Sequence, residues 1–173
     1  MNFLPLLIII ALAWCAGAIP SDQIPISHTT KNSNGTCGIV GLPAAVLTNC
    51  TDPLKAGIPD LRGNWQGVFK NDTHWERIEQ CADRVVITAP ANKGLYVIHD
   101  FKHADGSVQN GCHDWAGPTL PKCVPVKVAG VFKKNCLDLK PLGVVTAVTR
   151  CLNSDGTLSF DWLNKKFVLK RVP

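Results

Sequence analysis

After its first eighteen residues, MNFLPLLIIIALAWCAGA, the chain has no further run long and apolar enough to cross a bilayer. It has no C-x-x-C pair and no zinc-finger spacing, which removes thioredoxin-like redox chemistry and Cys-based zinc sites. There is no Gly-x-Ser-x-Gly elbow, His-Glu-x-x-His pair, phosphate loop or EF-hand loop. The 13 acidic residues are scattered, and nothing marks a catalytic pair. No stretch of the second half keeps a helical period with a capping signal, and there are no long repeats or low-complexity tracts. Basic residues do not interleave with aromatics, which argues against nucleic acid as a partner. These absences leave a binding or structural protein, with no enzyme activity and no cofactor expected.

The opening eighteen residues hold no charged side chain; an apolar run from Phe3 to Trp14 is followed, after Cys15, by Ala16-Gly17-Ala18. That pattern predicts a secretory signal peptide over residues 1–18, cleaved after Ala18, with the α-amino group as its only positive charge. Export to an oxidising compartment would make the remaining cysteines bridge partners. Seven remain: Cys37, Cys50, Cys81, Cys112, Cys123, Cys136 and Cys151. An odd number allows at most three internal bridges and leaves one thiol free or joined to another chain. Three sequons, at Asn34, Asn49 and Asn71, are expected acceptors of N-linked glycans; bridging of Cys50 could hide Asn49.

The formal charge of +5 lies wholly beyond the signal. It is spread out, with small clusters at Lys133-Lys134, Lys165-Lys166 and Lys170-Arg171. An excess of this size serves solubility first, with an anionic partner as the alternative. Residues 19–60 form an extension rich in Pro, Gly, Ser, Thr and Asn. Its one apolar island, 38-GIVGLPAAVL-47, lies between Cys37 and Cys50, which if paired would close a small plug or lid.

From Leu61 the texture changes to alternation with frequent turn signals, such as Asp105-Gly106 and Asp155-Gly156. Eight strands are predicted, over 62–70, 83–90, 94–101, 107–114, 124–132, 143–150, 157–162 and 165–171. The clearest sets Leu158, Phe160 and Trp162 on one face against Ser159 and Asp161 on the other. Short sequential connections favour an all-β, eight-stranded antiparallel up-and-down barrel over residues 61–173; the alternative is a β-sandwich.

The first strand reads 62-RGNWQGVFK-70, so Gly63, Trp65, Gly67 and Phe69 share one face. Gly63-Asn64-Trp65, opening such a hairpin array, resembles the start of the lipocalin and wider calycin superfamily. The resemblance implies a Gly-x-Trp motif on the first barrel strand, with a basic residue of the last strand packed across the tryptophan. Arg171 is the candidate for that basic residue and Arg150 the second. Gly63, Trp65 and Arg171 would then close the barrel structurally. Trp65, Phe69, Phe101, Phe160 and Trp162 would line an interior that holds a small apolar ligand.

Histidines offer little further chemistry. His99 and His103 would share a strand face about 13 Å apart, too far for one metal ion. His113 sits beside Cys112, but neighbours in a strand face opposite ways. No metal site is expected. The leading expectation is a secreted, disulfide-bonded glycoprotein that binds a small hydrophobic molecule. The alternative is an extracellular matrix or epithelial interaction protein with a filled core, acting through its surface, its glycans and a covalent partner at the unpaired cysteine. No membrane span would remain after signal cleavage.

Overall fold

The computed structural model describes residues 38–91, 94–117, 120–162 and 165–173. The predicted signal peptide, Asn34 and Cys37 lie outside these residues. So do the side chains of Phe69, Asp72 and residues 112–125, which include Cys112, His113 and Cys123.

The described chain is all β. Its eleven strands are β1 (Ile39–Val40), β2 (Gly63–Phe69), β3 (Asp72–Cys81), β4 (Arg84–Pro90), β5 (Leu95–Phe101), β6 (Asp105–Gly117), β7 (Leu120–Lys133), β8 (Cys136–Pro141), β9 (Val148–Leu152), β10 (Leu158–Trp162) and β11 (Lys165–Val172). They form one antiparallel sheet in the order β1-β5-β4-β3-β2-β11-β10-β9-β8-β7-β6, curled into a half-barrel. Apart from β1, each strand beside another is its neighbour in sequence, save where β2 meets β11 through Gln66↔Lys170, Trp65↔Arg171 and Asn64↔Val172. Among the described residues the sheet keeps two edges, at β1 and β6.

The strand count corrects the expected eight. The additional strands are β1, β3 and β8. No glycine marks the turns on either side of β3 or the turn that opens β8. Their hairpins turn instead through Lys70-Asn71, Ala82-Asp83 and Lys134-Asn135. Lys70, Ala82 and Lys134 adopt positive φ of 56°, 52° and 54°, a conformation ordinarily left to glycine. The strand expected over 143–150 is also corrected. Residues 143–147 form a turn that leaves Val144 and Val145 exposed, and β9 begins at Val148.

Inward and outward positions follow from the register. Trp65 pairs with Glu76, Ile78 with Ile87, and Ile87 with His99, so these positions share the inner face. Across the molecule Phe160 pairs with Phe167 and Arg150, and Arg150 pairs with Leu137. The main core gathers Leu61, Trp65, Ile78, Val85, Phe101 and Leu158 with their buried neighbours. Phe101 reaches β7 at Gly130, where a Cβ would lie 2.9 Å from its ring. This close packing curls β5 toward the other arm of the sheet.

Residues 38–60 lie against the outer face of β3 and β4. Glu79 accepts hydrogen bonds from Val46 N and Leu47 N, each at 2.8 Å. Arg77 donates to the carbonyls of Pro43 and Ala44, at 2.8 and 3.0 Å. Under this cover the outward residues Val86 and Thr88 are fully buried. A Cys50–Cys81 disulfide ties the segment to the end of β3. Cys50 is thus committed to Cys81, and the small Cys37–Cys50 loop suggested by proximity does not form. A second disulfide, Cys136–Cys151, joins directly paired residues of β8 and β9.

Candidate ligand-binding site

The inner surface has two regions, which adjoin at the Trp65–Glu76 cross-strand pair. At the first, Trp65 is wholly buried and donates its indole N–H to Leu61 O at 2.8 Å. The Arg171 guanidinium lies over the same ring, 4.8 Å from its centroid, and Gly63 sits beneath the Arg171 side chain with φ of 136°. A Cβ at position 63 would stand 3.2 Å from three Arg171 atoms. Gly67 serves the same junction, since a Cβ there would strike the Val168 carbonyl and come within 2.7 Å of Leu169. The two glycines flanking Trp65 therefore let β11 come close enough to pair with β2. Gln80 completes this end, accepting from Leu61 N at 2.6 Å and donating to Pro59 O at 3.0 Å.

The second end is built around buried charge. Glu76 is 0% exposed and Arg150 3%. The Nε of Arg150 donates to both Glu76 carboxylate oxygens, at 2.8 and 3.0 Å, and Nη2 donates to Oε2 at 2.7 Å. Burial alone would push the Glu76 carboxyl up, but the opposing charge of Arg150 and the hydrogen bonds from His74 and Arg150 outweigh it and hold the group at about 2. The His74 ring nitrogen Nε2 stands 3.2 Å from Glu76 Oε2. The His74 ring stacks on Phe160 with centroids 4.1 Å apart, and the Arg150 guanidinium lies 4.9 Å from the same Phe160 ring. Arg150 Nη1 is buried and makes no hydrogen bond.

Two apolar walls flank this cluster without merging. On β4 and β5, Ala89 and Val97 form a small group with Ala91 and Leu95, separate from the main core. Facing strands carry Phe160 and Phe167, with Val148 and Trp162 half-buried beside them. The two groups are thus separate clusters of inward-facing apolar side chains.

The residues singled out from sequence divide between the ends. Trp65, 0% exposed, and Phe101, 1% exposed, belong to the packed end. Phe160 and Trp162 belong to the polar end; the Phe69 side chain lies outside the described residues. Asn49 and Asn71 are both exposed, Asn49 even with Cys50 bridged. His99 faces inward on β5, 6.2 Å from the Phe101 ring centre, while His103 is exposed and lies 3.3 Å from Asp83. No cluster of three or more His, Cys, Asp or Glu side chains suited to a metal occurs among the described residues.

Sequence reasoning overlooked His74 and Glu76, and weighed Arg150 only as the second candidate, behind Arg171, for the place across Trp65. The alternation of His74, Glu76, Ile78 and Gln80 was present in β3, but its polar members pointed to the surface rather than the interior. No protein-family model, curated protein or solved structure matches this chain.

Proposed function

We propose that the chain is a secreted, N-glycosylated β-barrel protein of lipocalin type that carries a small, largely apolar molecule between its two inner walls. The observation that carries this reading is that Ala89 and Val97 form an inner apolar group separate from the main core, to which Phe160 and Phe167 belong. Affinity would come from apolar ligand surface removed from water, about 25 cal/mol per Å² before entropic costs. The two disulfides are compatible with an extracellular protein, and no helix among the described residues is long and apolar enough to cross a membrane. No catalytic role is assigned to any residue.

The test is titration with neutral fluorescent lipids and retinoid-like probes, following tryptophan quenching. Trp162, half-buried at the polar end, should report binding directly. A broad panel without one saturable ligand removes the carrier reading.

A second reading, an extracellular interaction protein with no ligand, draws on a patch of the surface. Leu142, Val144 and Val145 are exposed, and Gly143 beside them approaches exposed Val108 of β6. Apolar side chains gathered in this way suit a protein contact. Light scattering with non-reducing electrophoresis separates the readings: a monomer that binds lipid supports the carrier, and an assembly that binds none supports the contact.

A further inference from the structure

The polar end contains a donor that the protein itself leaves unanswered. Arg150 spends Nε and Nη2 on Glu76, both on one edge of the guanidinium. Its remaining group, Nη1, is buried without an acceptor. A buried N–H of a charged group left unmet is costly, and such groups persist where water or a ligand meets them. The His74 side chain next to the pair keeps 20% of its surface, so the cluster borders solvent on that side. The flanking surface is apolar, from Phe160 under the guanidinium to the separate Ala89/Val97 wall.

We infer that Arg150, with Glu76 and His74 around it, forms the polar subsite of the carried ligand, and that Nη1 takes a neutral acceptor, a carbonyl, ester or hydroxyl oxygen at the end of an apolar chain. The inference rests on the carrier reading and sharpens it.

Charge decides between a neutral acceptor and a carboxylate. Arg150 is already neutralised by Glu76, which sits against it with a bond of 2.7 Å. Glu76 remains ionised far below neutral pH. A ligand carboxylate at Nη1 would place a second negative charge within a few ångströms of the first, in a site poor in water, and like charges there repel strongly. A ketone or alcohol accepts the same hydrogen bond without that repulsion. The ligand's tail would then run between the two walls, clear of the Trp65 end.

The experiment uses the whole secreted chain and a neutral naphthylamine probe, displaced at neutral pH by 2-decanone, 1-decanol, decanoate and decane. The ketone and alcohol should compete at least about tenfold more tightly than decanoate, which brings the second negative charge, and than decane, which lacks the acceptor for a hydrogen bond to a charged donor. In the double variant Glu76→Leu/Arg150→Met the buried pair is replaced by apolar side chains, a change that buried ion pairs commonly tolerate. Probe binding should persist there, while the ratio of ketone to decane affinity falls at least about tenfold. An unchanged ratio, or decanoate as the tightest competitor, overturns the subsite and leaves the carrier standing. A protein that binds neither probe nor competitor removes both. Infrared spectroscopy of carbonyl-labelled 2-decanone gives a check without substitution: its stretch should move to lower frequency on binding the native protein, and a stretch unshifted from that in alkane overturns the inference.

Discussion

The two ends of the inner surface solve the same problem, filling a curved sheet, by opposite means. At the Trp65 end, large apolar side chains meet closely: Trp65, Leu61, Val85, Leu158 and Leu169 are all fully buried. Polar atoms there include Trp65 Nε1, answered by Leu61 O, and the Gln80 amide, which meets Leu61 and Pro59. The other end buries an ion pair, stacks a histidine on a phenylalanine, and leaves one guanidinium nitrogen unanswered. The first arrangement suits mechanical closure. The second holds desolvated charge in place at an expense in stability.

The sharpest way to break the contrast is to remove one charge at the polar end. Glu76→Ala should destabilise the protein by about 3–5 kcal/mol, because Arg150 is left buried and unpaired. Trp65→Ala should cost a similar amount, about 3–5 kcal/mol, by opening a cavity. The ends separate in the rescue: adding Arg150→Met to Glu76→Leu should recover most of the lost stability in urea unfolding, whereas no small residue restores the Trp65 end.

Acid should act mainly on the polar end. The folded carboxyl of Glu76, at about 2, lies below its ordinary value of 4.5. A depressed carboxyl contributes stability that is complete above the unfolded value and is lost as pH falls through the folded one. Unfolding followed between pH 5 and pH 2 should therefore show a loss on the order of 3 kcal/mol from this group, and the Glu76→Leu/Arg150→Met variant should show a correspondingly flatter acid limb.

Smaller effects probe the packed end. Gly67→Ala puts a methyl against the Val168 carbonyl, a backbone atom that cannot step aside, and should cost about 1–3 kcal/mol. Arg171→Ala removes the cation from the face of Trp65, and at this exposed position should cost only about 0.5–1 kcal/mol by thermal unfolding. A loss of several kcal/mol would mean that Arg171 holds the end together through more than its ring contact.

The chain's own residues made some of this legible and concealed the rest. Strand β10 alternates apolar inward with polar outward, and β4, β5 and β11 keep a largely apolar inner row, so period two located them within a residue or so. Strand β3 alternates as well, but its inner row is His74, Glu76, Ile78 and Gln80, and polarity alone assigns such residues to water. Strand β8 is buried on both faces, with Leu137, Asp138 and Leu139 all covered, so no alternation survives. Their turns use lysine and alanine at positive φ, for which no local sequence rule signals a hairpin. Arg150 could not be paired from sequence because its partner lies 74 positions away. The disulfide at Cys50 was equally obscure, since its 31-residue loop to Cys81 spans β2 and β3 and competes with a nearer cysteine.

The seam between β2 and β11 has a bearing on how the molecule is made. Its three residue pairs join positions more than a hundred residues apart, from Asn64↔Val172 to Gln66↔Lys170. During synthesis, β2 would emerge well before β11 and hold an unpaired edge until more than a hundred further residues have left the ribosome. Late, long-range zippering of this kind slows folding, because the intervening chain must first lose its freedom. Pulsed hydrogen exchange during refolding should find Gln66 and Lys170 amides protected after those of the β3–β4 hairpin; simultaneous protection would mean that the two termini meet before the rest is laid down.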